Sequence, residues 1–198
     1  MKEAFDLEFC YKGSRDYVHG TDIFTKLLLI PNNDLKKIDI AFHDITINNM
    51  TFTTNKPINN QVNVTFRALD NQKPIKFYGV ENNKTISCRY PYEEDKIVKN
   101  STVDPKTESI ILNTPTEYSF IEHIVAMNKA LLEELYRNKK GKWYFTRLQL
   151  HKNIDMAKIQ SLKLVLNANF QFKLTKTVII VDGENIGYIY FSLIQKED

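Results

Sequence analysis

Apolar and polar residues alternate loosely over residues 4–11 (AFDLEFCY), the period-two pattern of a half-buried strand. After the polar loop KGSRD the period changes. Ile23, Phe24, Leu27 and Leu28 fall on one helical face, with Thr21 as N-cap and Asp22 in the first turn, where the helix dipole favours an anion. Pro31 is the expected stop. KKIDIAFHDITI, MTFTT, VNVTFRAL, IKFYGVEN and KTISCRY then read as strands, with Asn48-Asn49 and LDNQKP as turns. Residues 1–90 are thus expected to hold one short helix followed by about five strands. Residues 91–108 (PYEEDKIVKNSTVDPKTE) are charged and proline-containing, which marks a linker.

The plan recurs over 109–198. SIILNT is a short strand. SFIEHIVAMNKALLEELYRNKK has the strongest helical pattern in the chain, with Ile121, Ile124, Val125, Leu131, Leu132 and Leu135 as its apolar face. Ser119 followed by Glu122 is a capping-box spacing. Arg137, Lys139 and Lys140 complement the C-terminal dipole, and Gly141 closes the helix. KWYFTRLQLH and LKLVLNANFQFKL read as strands, and TVIIVDGENIGYIYFSLI as a hairpin turning at Asp182-Gly183.

Laid over each other, the two stretches agree in the order of their elements. DYVHGTDIFTKLL aligns with EYSFIEHIVAMNKALL, putting Tyr17 opposite Tyr118, and KKIDIAFHDITI aligns with KWYFTRLQLH, putting Phe42 opposite Phe145. The offset is about 100 residues, too long for a solenoid repeat, and reads as a duplicated small domain. The fold class is therefore α+β.

Composition narrows the function classes. The hydrophobic share of 42% and the charged share of 26% are those of an ordinary globular protein. Ten Tyr and twelve Phe favour strands and a bulky core. A net charge of +3, spread along the chain, does not argue for a nucleic-acid partner. Cys10 and Cys88 have neither CxxC nor Cys/His spacing and read as reduced thiols. The acidic N-terminus MKEAFDLEF is unlike a signal peptide, and no stretch has the length of a membrane span. Together these point to the cytoplasm.

A central helix preceding antiparallel strands, the dipeptide His19-Gly20 at a helix start, and the run from KWYFTRLQLH to DGENIGYIYFSL resemble the hot-dog fold of thioesterases and dehydratases. The resemblance covers nearly the whole chain as a double hot dog. It implies two tandem hot-dog-like units, each a central helix wrapped by an antiparallel sheet, with 1–90 and 109–198 as the halves. It implies acyl thioesters of coenzyme A or acyl carrier protein as substrates, so that coenzyme A or phosphopantetheine enters with the substrate and no separate cofactor is needed. It also implies a site between the two halves and further assembly into homo-oligomers.

Thioester chemistry needs an acid or base near the acyl carbon and a donor for the thioester oxygen. Helix N-termini supply backbone donors, so the candidates cluster at the two helix starts. His19 and Gly20 resemble a thioesterase HGG phrase, with Thr21 where the second glycine stands and Lys26, Leu27 and Leu28 where an acid is expected. Gly20 lets a substrate approach the backbone. Asp22 is a candidate base or an orienter of histidine, or else a residue serving the dipole. Glu122 is a candidate partner for His19, or else a capping residue. His123 points about 100° away from Glu122 around the helix, so one of the two is structural. Tyr17 and Asn128 are candidate substrate-binding residues, Asn128 because a polar side chain interrupts the apolar face. His43, His123 and His151 lack metal-ligand spacing. No GxGxxG, P-loop or GxSxG phrase occurs, which excludes nucleotide binding of those forms and an α/β-hydrolase elbow. The basic residues Lys36-Lys37 and Arg137, Lys139, Lys140 and Lys142 follow the two helices. They suit either the phosphates of coenzyme A, an acidic carrier, or plain solvation. The enzyme reading has two rivals of another class: a non-catalytic double hot-dog module that binds an acyl chain, a carrier protein or a protein partner, and, if the repeat is accidental, an unrelated β-rich binding module.

Overall fold

Alternating side chains build a sheet in each of two units, residues 1–92 and 93–198. The computed structural model describes residues 3–30, 35–58 and 61–195. In the first unit, β1 (Ala4–Leu7) and β2 (Tyr11–Lys12) precede α1 (Gly20–Leu28). The strands β3 (Leu35–Phe42), β4 (Asn48–Thr53), β5 (Val64–Asp70) and β6 (Lys73–Thr85) follow, then the two-residue β7 (Arg89–Tyr90). The sheet runs β1-β4-β6-β5-β3 and is antiparallel throughout. β2 and β7 pair separately and in parallel. Asn71 and Gln72, both at positive φ, turn β5 into β6 as the LDNQKP phrase predicts.

The core of this unit is aromatic. Phe52, Phe66 and Phe77 are fully buried. Phe5 stacks on Phe52 at 5.7 Å and meets Phe77 edge-on at 5.2 Å. Gly79 makes room for this: a Cβ there would sit 2.5 Å from the Phe52 ring. α1 buries Thr21, Ile23, Phe24 and Leu27 and packs against β3.

Three readings of this unit are corrected. α1 begins at Gly20 with His19 as N-cap, so Thr21 lies inside the first turn. Its hydroxyl bonds to other side chains instead of capping. Asn48-Asn49 opens β4 and is not a turn: the Asn49 side chain accepts from the Phe9 N–H at 2.7 Å and ties the start of β4 to the segment between β1 and β2. Cys10 and Cys88 are joined in a disulfide, with Cα atoms 4.8 Å apart. Disulfides persist mainly in oxidising surroundings, so the cysteines no longer support a cytoplasmic location. Pro31, the expected helix stop, lies outside the described residues.

The second unit opens with α2 (Glu94–Lys99) and β8 (Ser101–Asp104), followed by β9 (Ser109–Leu112). Residues 91–108 therefore carry a helix and a strand and do not form a bare linker. Buried Ile97 anchors α2 despite its charged neighbours, and β8 pairs with β9. α3 (Phe120–Leu135) comes next, then β10 (Lys142–Lys152), β11 (Leu162–Phe170), β12 (Leu174–Val181) and β13 (Glu184–Ile194). The antiparallel sheet runs β10-β13-β12-β11-β9-β8.

α3 packs against β8, β9, β10, β11 and β13. It is buried on more than one stripe in its first half, from Phe120 to Asn128, whereas Leu135 is only half-buried. Inward-facing Thr175, Thr177, Ile179 and Val181 alternate along β12. The Asp182-Gly183 turn forms as expected, with both residues at positive φ. The run LKLVLNANFQFKL is not one strand: Gln171 and Phe172 adopt positive φ and turn β11 into β12. The Asn169 side chain, accepting from the Phe172 N–H at 2.8 Å, stabilises that turn in place of a glycine. α3 ends at Leu135, ahead of Gly141, which instead lies against the Ile194 carbonyl at the start of β10. Among the described residues no helix is long and apolar enough to cross a membrane.

Candidate functional site

The start of α1 gathers more polar chemistry than the sequence suggests. His19 is 7% exposed and its Nδ1 lies 2.7 Å from the Thr21 Oγ1. Lys12, on β2, is 1% exposed. Its ammonium donates to Thr21 Oγ1 at 3.1 Å and to Asp22 Oδ1 at 3.0 Å. The other Asp22 oxygen accepts from the Tyr90 hydroxyl at 2.6 Å. Tyr92 covers the ammonium, with its ring centroid 4.3 Å from Lys12 Nζ. Five side chains from β2, the N-cap and first turn of α1, and β7 thus form one chain of hydrogen bonds: Tyr90, Asp22, Lys12, Thr21, His19.

The local sequence explains the geometry. With Lys12 donating into the Thr21 oxygen, that hydroxyl has one proton left to give. The 2.7 Å contact to His19 is shorter than the 3.2 Å contact to Asp22. The Thr21 hydroxyl donates to Asp22 Oδ1 and accepts from Lys12, and which of Thr21 and His19 donates across their shared contact follows the ring tautomer. The first α1 bonds run from the Asp22 and Ile23 N–H groups to the His19 carbonyl. Among the described residues no bond involves the N–H of Gly20 or Thr21, which leaves two donors at the positive end of the helix. Gly20 is the first helical residue, and Tyr17 is half-buried in the preceding loop.

The α3 start is built differently. The Glu122 carboxylate accepts from the Ser119 N–H at 2.8 Å and from its hydroxyl at 2.6 Å, as the capping spacing predicts. His123 is 0% exposed. Its Nε2 accepts from the Thr116 N–H at 3.2 Å, which leaves Nδ1 to donate to the Ser119 carbonyl at 2.9 Å. Burial holds this imidazole below its ordinary value, opposed by the bond to Ser119 and the charges of Glu122 and Glu117. Both residues hold the helix start together. Asn128 is the exception: it is 0% exposed, and neither its amide nitrogen nor its oxygen has a partner. The Thr177 hydroxyl is the other buried side-chain group without one among the described residues.

The structure thus brings His19, Gly20 and Asp22 together and adds Lys12, Thr21, Tyr90 and Tyr92. Sequence reasoning named Thr21 only as a cap and missed the other three. Lys12 lay hidden at the edge of a polar loop, and Tyr90 and Tyr92 stood in segments read as a strand and a linker. The only signal was a tyrosine pair flanking Pro91. Of the basic residues after the helices, Arg137 pairs with Glu134, Lys139 lies over Phe172 and Lys142 over Tyr144.

No protein-family model matches the chain, and no curated protein matches it. Solved structures do. A protein from Thermobifida fusca YX bearing a thioesterase II designation aligns at 10% identity over 98% of this chain and 94% of its own, with a TM-score of 0.53. A tesB protein of Mycobacterium avium subs paratuberculosis aligns at 7% identity over 95% and 90%, with a TM-score of 0.49. The dehydratase domain of PpsC from Mycobacterium tuberculosis, solved with C12:1-CoA, aligns at 8% identity over 96% and 92%, also at 0.49. At these identities only the first carries weight, and what it shows is a shared fold.

Proposed function

We propose, starting from the hot-dog fold that this chain has, that it processes acyl thioesters. The reading is a thioesterase or 3-hydroxyacyl dehydratase type of protein, taking acyl groups from coenzyme A or an acyl carrier protein. Its two units are read as tandem hot-dog-like halves, since each sets a helix against an antiparallel sheet. The observation that carries the reading is the start of α1. There the Gly20 and Thr21 N–H groups lie at a helix N-terminus next to the His19 imidazole, and such backbone donors suit a thioester oxygen, whose charge grows as water attacks or a proton leaves. Thr21 and Lys12 fix the imidazole, and Asp22 and Tyr90 fix Lys12. In this scheme His19 polarises the carbonyl, while Asp22, Lys12 and Tyr90 are positioning residues.

Purified protein is incubated with acyl and 3-hydroxyacyl thioesters of coenzyme A and of carrier protein, and the products are read by mass spectrometry. Hydrolysis or water elimination that falls at least about a hundredfold in His19→Ala supports the scheme. Turnover unchanged in His19→Ala refutes the assignment of the site. A second reading, the non-catalytic double hot-dog module binding an acyl chain, carrier or protein partner, is favoured by one observation. Both candidate carboxylates are already engaged, Asp22 by Lys12 and Tyr90, and Glu122 by Ser119. Absence of turnover on every thioester, from folded protein, selects that reading.

A further inference from the structure

The segment that covers the Lys12–Asp22 pair is held from outside. β7 pairs with β2 over only two residues. Around that pairing, the Tyr11 N–H donates to the Cys88 carbonyl and the Gly13 N–H to the Tyr90 carbonyl, each at 2.9 Å. The Arg89 guanidinium donates to the Gly13 and Arg15 carbonyls, both at 2.6 Å. The Cys10–Cys88 disulfide joins the residues immediately before the two strands. Ser87, Cys88, Arg89 and Pro91 are exposed, so little apolar burial anchors this segment apart from Tyr90 and Tyr92. Those two tyrosines face inward, one on Asp22 and one over Lys12.

We propose that the Cys10–Cys88 disulfide is a redox-sensitive clasp over the start of α1: a dithiol that reduces it releases β7, and with it the tyrosines that cover Lys12 and Asp22. The exchange proceeds in two steps. A thiolate of the dithiol attacks one sulfur, forming a mixed disulfide and expelling the other cysteine as a thiolate that takes up a proton. The second thiol of the reductant then displaces the remaining cysteine and leaves with its partner as a cyclic disulfide. Two electrons and two protons pass to Cys10 and Cys88. Because Cys88 is exposed, a small dithiol reaches the bond without unfolding the sheet. Opening uncouples Tyr90 from Asp22 and lifts Tyr92 from the ammonium, so the first turn of α1 becomes accessible to ligands. The inference concerns the cover and not the chemistry beneath it, and it stands whether or not the site turns over a thioester.

The test uses the full chain purified without reductant. Alkylation and mass spectrometry count free thiols before and after a dithiol, and amide hydrogen exchange is followed in both states. The expected result is no free thiol before reduction and two after it. Exchange then rises roughly tenfold or more in peptides covering 86–92 and 10–22, with α3 and strands β4–β6 unchanged. The double variant Cys10→Ser/Cys88→Ser reproduces the reduced pattern. Free thiols in the unreduced protein, or exchange over 86–92 that reduction leaves unchanged, overturn the proposal. So does acceleration spread across the whole first unit, since that is unfolding and not the opening of a clasp.

Discussion

Replacing Asn128 with leucine measures the cost of its buried amide. Two polar groups on this side chain are fully buried without a partner. In proteins such a group costs about 1–3 kcal/mol when its water is removed and nothing replaces it. Leucine branches at the same carbon, has no polar atoms and favours the helix interior by a few tenths of a kcal/mol over asparagine. Fitting its extra methyl bulk into a close-packed interior returns about 1–3 kcal/mol of that gain. The balance is a stabilisation of about 2 kcal/mol. With a urea dependence of about 2 kcal/mol/M, the unfolding midpoint rises by about 1 M. The assay is urea unfolding followed by far-UV circular dichroism and by fluorescence of Trp143, which lies in the same unit. If coincident transitions show Asn128→Leu less stable than the parent by about 1 kcal/mol or more, the amide is bonded, for example to an ordered water, and the reasoning fails. A more stable variant that also binds acyl thioesters more weakly is the signature of a polar group held for ligand at the expense of the fold.

Other perturbations probe other parts of the structure. Gly79→Ala drives a methyl into the buried Phe52 ring and is expected to cost about 1–3 kcal/mol, with partial recovery in Gly79→Ala/Phe52→Leu; a loss under about 0.5 kcal/mol counts against the packing described. Lys12→Met leaves Asp22, 16% exposed, beside a missing cation and should cost about 3–5 kcal/mol. Adding Asp22→Leu should restore most of that, and a double-mutant cycle without coupling refutes the pair. His123 is held below its ordinary value by burial, so the unfolded chain takes up the extra proton first. Its share of stability is complete above about pH 6.5 and declines as pH falls below that, towards the folded-state value. The urea midpoint should drop between about pH 7.5 and about pH 5, and by less in His123→Gln; equal slopes remove the histidine from the effect.

Long, strongly patterned segments were legible in the sequence. The helix around Ile121–Leu132 and the Asp182-Gly183 hairpin carry their signals within a few residues of each other. The failures share a cause, in that the deciding contact is distant or made by an unexpected side chain. The turn at Gln171-Phe172 forms without glycine because Asn169 bonds its backbone. Residues 91–108 fold on the strength of buried Ile97 and pairing with β9, which charge and proline content conceal. The Cys10–Cys88 bond spans 78 residues, and no spacing rule links two such cysteines. At the site, His19 and Asp22 were visible as residues at a helix start. Lys12 was not, because a buried lysine is recognised only through the Asp22, Tyr90 and Tyr92 that shelter it.

The parallel pairing of β2 with β7 has a consequence for biosynthesis. It joins the beginning of the first unit to its end, so residues made at opposite ends of that unit must meet before α1 has its surroundings. At a translation rate of about 5–20 residues per second, the 78 residues between Cys10 and Cys88 take about 4–16 s to appear. Through that interval the nascent chain carries Lys12 with its eventual tyrosine shelter not yet made. The first unit therefore cannot close from its N-terminus forward. It closes like a ring, when its last residues emerge.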